Sequence, residues 1–238
     1  MSIVKSFRKN MHKNNLKFLI LIVFIFCIGC NNETESTKIE RTVEKDTSTP
    51  KCDKILLQKC IEINPVWADY YKKNIADFSN DSGFVCSKGK IENIMTGSVY
   101  GDFSKEFNVN HLPFLINSPD HSKYIDLDSY QLCFKKDEKG NLYCGGGEVD
   151  QEIDLADRKN KTVKRIAFYG PGCFIEDAKW IDNNLFVLYG MSDKKLMIEV
   201  MDISKKKYQL FESKNELKTE SFFMMEVRLK RVNFDTIP

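Results

Sequence analysis

The chain has 238 residues, with 36 Lys+Arg against 34 Asp+Glu, 42% hydrophobic and 12% aromatic content. So even a balance, with no basic run denser than Lys205-Lys206-Lys207, argues against a nucleic-acid footprint, which needs basic residues gathered on one surface. Three histidines, and no Cys-x-x-Cys pair beyond residue 30, argue against a zinc centre.

The chain opens with Lys5, Arg8, Lys9, Lys13 and Lys17, then eleven consecutive apolar residues, Phe18 to Ile28, then Gly29-Cys30 and polar Asn31-Asn32-Glu33-Thr34. A positive start, a short apolar run and a small residue before the cut are the marks of an export signal. The run is too short to cross a membrane, for which about 20 apolar residues are needed. It resembles a bacterial lipoprotein signal peptide. The lipobox of that family has an aliphatic residue three positions before the acylated cysteine; Cys27 stands there, while Ile28 and Gly29 fit. The resemblance implies a leader over residues 1–29, lipidation (palmitate) at Cys30 and a lipid-anchored place in the bacterial cell envelope. Asn31 lacks the aspartate that retains many lipoproteins in the inner membrane, so the outer membrane is expected if the source has two. Cleavage removes five basic residues, leaving 31 basic against 34 acidic and a formal charge of −3.

Residues 30–50 hold only Ile39 and Val43 as aliphatic side chains. Such a segment buries too little apolar surface to offset the entropy of ordering and reads as a tether. Residues 51–80 read as a helical N-terminal segment. Asn64-Pro65 supplies an N-cap with proline at the first helical position, and Trp67, Tyr70, Tyr71, Ile75 and Phe78 follow at helical spacing. Residues 52–62 predict a second helix, with Cys52, Ile55, Leu56 and Cys60 near its buried side.

Residues 81–238 read as the β-rich body of the same domain, a mainly β fold of antiparallel sheets. Short β-branched and aromatic runs between turn formers predict strands at 114–117, 123–128, 130–135, 142–144, 152–155, 162–168, 185–189, 196–201 and 208–211. Phe223, Met225, Val227 and Leu229 alternate with polar residues and predict a final strand. Trp180 and Val187 are expected in the core.

Two stretches match at an offset of 45 residues: Asp137 falls on Asp182, Gly145 on Gly190, Ile153 on Ile198, Asp157 on Asp202 and Lys161 on Lys206. Ser118-Pro119-Asp120-His121-Ser122-Lys123-Tyr124 is a turn entering a strand, with His121 where glycine is usual; its best later counterpart, Ile181-Asp182-Asn183-Asn184, lies about 60 residues on. Over Phe114–Ser213 this resembles blades of β-propeller proteins. Two units do not close a propeller, so a sandwich of meandering hairpins is the other architecture expected.

The mature domain carries Cys52, Cys60, Cys86, Cys133, Cys144 and Cys173, an even set that suggests disulfides in an exported chain. Cys133 and Cys144, on consecutive strands around Lys136–Gly140, are the expected pair. His111 and His121 have no Gly-x-Ser-x-Gly elbow to serve, and Asn110-His111-Leu112-Pro113 reads as a turn. Asp126 and Asp128 share a strand face, as do Asp150, Glu152 and Asp154, so paired-carboxylate hydrolysis has to be weighed. The second trio alternates with Gln151, Ile153 and Leu155, as in an ordinary half-exposed strand. Gly145-Gly146-Gly147 reads as a loop, and Trp67, Tyr70 and Tyr71 as core. The expected role is a non-enzymatic binding or accessory module with a protein or glycan partner, without cofactor. The alternative is an envelope hydrolase using carboxylates brought together by the fold.

Overall fold

Asn64 makes the first corner. Its side chain accepts a bond from the Trp67 amide at 3.4 Å and donates to Asp177 at 3.0 Å, so one residue ends a helix, starts the next and ties both to the sheet below. The structure, a computed structural model, describes residues 53–73, 83–92, 94–217 and 222–234, which fall within one compact unit, Ile39–Pro238. The leader, Cys30, the tether, Cys52, Ile75 and Phe78 lie outside the described residues. Helix α1 (Lys54–Ile63) buries Leu57, Cys60 and Ile61, and helix α2 (Pro65–Lys72) buries Trp67, Ala68 and Tyr71. Leu56 is only partly buried and Ile55 is exposed, so the inner face of α1 is rotated from the expected one. No described helix is long and apolar enough to cross a membrane.

The fold is mainly antiparallel β, as expected. One sheet runs β1 (Phe84–Lys90), β12 (Lys207–Glu216), β11 (Lys195–Asp202), β10 (Leu185–Ser192), β9 (Cys173–Trp180). A second runs β2 (Met95–Thr96), β8 (Thr162–Tyr169), β7 (Gln151–Asp157), β4 (Lys123–Asp126), β3 (Ile116–Asn117). Strands β5 (Leu132–Lys136) and β6 (Leu142–Gly147) form a separate ribbon. Alternation along β10 divides the core: Val187 and Tyr189 meet Leu57, Trp67 and Tyr71, while Phe186 and Leu188 meet Ile125, Ile153 and Ile166 of the second sheet. The result is three layers, helices on a sheet on a sheet. Each large side chain so buried contributes about 1.5–3 kcal/mol.

Strand β9 and strand β1 were not legible in the sequence. Glu176 and Asp177 interrupt the apolar pattern of β9, yet both are buried. Glu176 is admitted because Trp67 Nε1 and the Tyr71 hydroxyl donate to it at 3.0 and 2.8 Å. The final segment corrects the expected strand: Met224–Arg228 is a π-helical turn closed by Leu229 N–H to Met224 carbonyl at 2.7 Å. Phe223 packs under the helices, whereas Leu229 packs with Phe114 and Phe134, and a straight strand would not serve both sites. Val187 is fully buried; Trp180 is only partly so, its indole N–H donating to the Ile116 carbonyl at 2.8 Å.

The 45-residue repeat has a structural basis. Asp154 pairs with Arg165 and Asp157 with Thr162 across β7–β8; Glu199 pairs with Leu210 and Asp202 with Lys207 across β11–β12. Asp157 and Asp202 each accept from an amide three residues on, and Lys161 and Lys206 share a φ of 52°. The other strands of each sheet match as well: Lys123 through Asp126 oppose Asp157 through Asp154, as Leu185 through Leu188 oppose Asp202 through Glu199. In the first copy Asp154 lies 28 positions after Asp126, where Glu199 lies 11 positions after Leu188. The excess carries the β5–β6 ribbon. It also explains why the Ser-Pro-Asp turn and its counterpart fall out of register with the rest. His121 there has φ 57°, the left-handed backbone for which glycine is usual.

Candidate functional site

The insertion begins at Asp126. Its Oδ1 accepts from the amides of Asp128 and Ser129 at 3.0 Å each, turning the chain out of the sheet where the second copy, with Leu188, simply continues. From the other side the segment Gly97–Phe114 folds over the second sheet, its Phe103 and Phe107, with Leu115 just beyond it, packing on Tyr124 and Ala156. Between the two lies a cleft of about 380 Å³ whose wall includes Ser98, Tyr100, Phe107, His111, Tyr130 and Gln131. Its size suits a small ligand.

His111 sits on a 3₁₀ turn, Val109–Phe114, capped by Asn108. Asn108 and Asn110 both donate through Nδ2 to the Phe134 carbonyl, at 2.9 and 3.1 Å, fastening the turn to β5. The imidazole stacks on Phe134 at 4.6 Å, is buried, and its Nδ1 has no partner. Burial pushes its pKa below the usual value, with Asp126 and Asp128 acting the other way. The expected plain turn is therefore a buried wall of the cleft. His121, by contrast, is exposed on the Ser118–Ser122 turn, away from this wall.

The acids that share faces in the sequence do gather here, but in closed arrangements. Arg228 holds Asp128 through two bonds of 2.7 and 2.8 Å and donates through Nε to the Glu176 carbonyl. Glu152 accepts from the Ser98 amide and hydroxyl at 2.6 and 2.9 Å, with Arg165 at 3.3 Å. Asp154 faces Asp126 across β4–β7 and is roofed by Gly97, where any side chain would strike its carboxylate. Burial first, then Glu152 and Asp126, pushes the Asp154 pKa up to about 9. Burial likewise raises Asp126. Glu152 and Asp154 are fully buried, which corrects the half-exposed reading of β7: Ile153 and Leu155 fill the intersheet core while the Gly97–Phe114 segment covers the other face. Gln151 completes the join, donating to the Leu127 and Ile175 carbonyls and accepting from the Ile175 amide at 2.6 Å.

Cys133 and Cys144 are not bonded to each other, correcting the expected bridge. Cys144 stands opposite Phe134, so Cys133, one residue earlier and beside a register shift, points to the other face of the ribbon. Cys60 is a buried thiol whose pKa burial pushes up to about 12. Cys86 is disulfide-bonded. Gly145–Gly147, expected as a loop, end strand β6. Among the described residues no group of three or more His, Cys, Asp or Glu is arranged to hold a metal ion.

Tyr100, Glu106, Tyr130, Gln131 and Glu148, which complete the cleft, were not singled out in the sequence. For Tyr130, Gln131 and Glu148 the one sequence signal is the disagreement between the two offsets, which marks the insertion; Tyr100 and Glu106 lie outside it and carry no such signal. Comparison with protein-family models, curated proteins and solved structures finds no match for this chain.

Proposed function

We propose that the chain is a lipid-anchored bacterial envelope protein, exported by its leader, acylated at Cys30 and placed in the outer membrane where the source has one, whose β body is a non-enzymatic binding or accessory module. The observation that carries the binding role is the cleft of about 380 Å³ between an insertion and a folded-back segment, on a scaffold whose other copy is plain sheet. The buried carboxylates behind it are occupied with structure: Asp128 by Arg228, Glu152 by Ser98 and Arg165. The disulfide at Cys86 fits an oxidising compartment.

The anchor is tested by mass spectrometry of membrane-extracted protein, which should find a lipidated N-terminal Cys30; an unprocessed chain starting at Met1 or Met11 refutes it. Cys30→Ala should leave the protein unacylated. A second reading, a hydrolase, is favoured by His111 in the cleft wall beside Asp126 and Asp128. It would require turnover of an ester or glycoside panel that is lost in a folded His111→Ala variant.

A further inference from the structure

Resting on the reading of the cleft as a ligand site, we propose that its ligand is a small organic cation with N–H donors, a primary ammonium or a guanidinium. Of the fourteen residues lining the cleft, two are carboxylates, Glu106 and Glu148, and none is Lys or Arg. The Ser104 hydroxyl donates to the Glu106 carboxylate and holds it below its usual pKa, so this charge is present throughout the neutral range. The nearby guanidinium groups are already engaged, Arg228 on Asp128 and Arg165 on Glu152. They leave no counter-charge for an anionic ligand.

The open hydrogen-bonding capacity of the wall has the same bias. Gln131 Oε1, an acceptor, and the Ser129 hydroxyl, which can accept or donate, are buried without partners, and so is Nδ1 of the 97%-buried His111 ring. A neutral imidazole carries one acceptor nitrogen, which is Nδ1 when the proton sits on Nε2. No protein group donates to these acceptors, so a ligand bringing N–H groups is the complement the wall calls for. Tyr100, Phe107 and Tyr130 add ring faces, which attract ammonium and guanidinium groups. A neutral polyol satisfies the acceptors but leaves both carboxylates unmatched.

Titration calorimetry on the detergent-solubilised full chain tests this with 1,4-diaminobutane, its neutral counterpart butane-1,4-diol, and Nα-acetyl-lysine amide. The diamine should bind saturably and the diol should not. Glu106→Gln with Glu148→Gln, both exposed and expected to leave thermal unfolding unchanged, should weaken the diamine at least about tenfold. Binding of the acetyl-lysine amide at comparable strength supports a lysyl side chain as the source of the cation; binding of the diamine alone supports a free amine. Diol binding equal to the diamine, lost in Tyr130→Ala, overturns the cationic ligand and leaves the cleft reading standing. Absence of binding by all three probes overturns both.

Discussion

Arg228→Met is the sharpest test of how the polar interior is held together. Arg228 makes two bonds of 2.7 and 2.8 Å to Asp128, which is 1% exposed, and a third to the Glu176 carbonyl. Methionine keeps most of the volume and removes the charge, leaving a desolvated carboxylate without a cation. Breaking a buried pair from one side costs about 3–5 kcal/mol. For a domain of this size each kcal/mol moves the midpoint by roughly 2–4 °C, so thermal unfolding should fall by about 10 °C. Guanidinium denaturation should show the same loss. The variant Asp128→Asn with Arg228→Met removes both charges and should recover roughly 1–3 kcal/mol relative to the sum of the single changes, the coupling expected of contacting residues. A single-variant loss below about 1 kcal/mol, or strictly additive changes, would refute the view that this pair pins the C-terminal turn to the start of the insertion.

Other outcomes follow from the same geometry. Asp154 has a native pKa raised from 3.8 toward about 9, so the native state keeps a proton that the unfolded chain has released; its contribution is complete below the lower value and is lost as pH rises toward the upper. Asp154→Asn should flatten the stability profile across that window, and an unchanged slope in denaturation at stepped pH counts against the assignment. Gly97→Ala places a methyl against Asp154 and Val163 and should cost about 1–3 kcal/mol, read as a lowered unfolding midpoint; a neutral outcome would mean that the segment does not roof Asp154 tightly. Val187→Ala in the fully buried centre of β10 should cost about 2–3 kcal/mol in denaturant unfolding, and a cost under about 0.5 would contradict its placement between helices and sheet. Non-reducing peptide mapping should find Cys133 and Cys60 as thiols and Cys86 in a disulfide; a Cys133–Cys144 bridge would overturn the ribbon register.

Local chemistry made much of the framework legible. Asn64-Pro65 marks a helix start because a side-chain acceptor and a missing N–H act within one turn, and the spacing of Trp67 and Tyr71 marks the face that is buried. Alternation and turn residues located most strands, and Asp157 with Asp202 gave the repeat because each closes its own hairpin through bonds to amides a few residues away. The final segment shows the limit of that signal: period-two spacing from Phe223 to Leu229 predicts a strand, but no neighbouring edge receives it, and two separate cores pull its ends into a π-helical turn.

What the sequence by itself determined is therefore the helical start, the hairpins and the mainly β class, each resting on interactions between residues close in the chain. Only the tertiary structure decided the cleft. His111 and Gln131 meet because a segment folds back over one sheet copy and an insertion leaves it at Asp126. Buried carboxylates that look like solvent-facing residues are tolerated because partners a hundred or more positions away, Arg228 for Asp128 and Trp67 for Glu176, supply donors in a medium where an unpaired charge is costly.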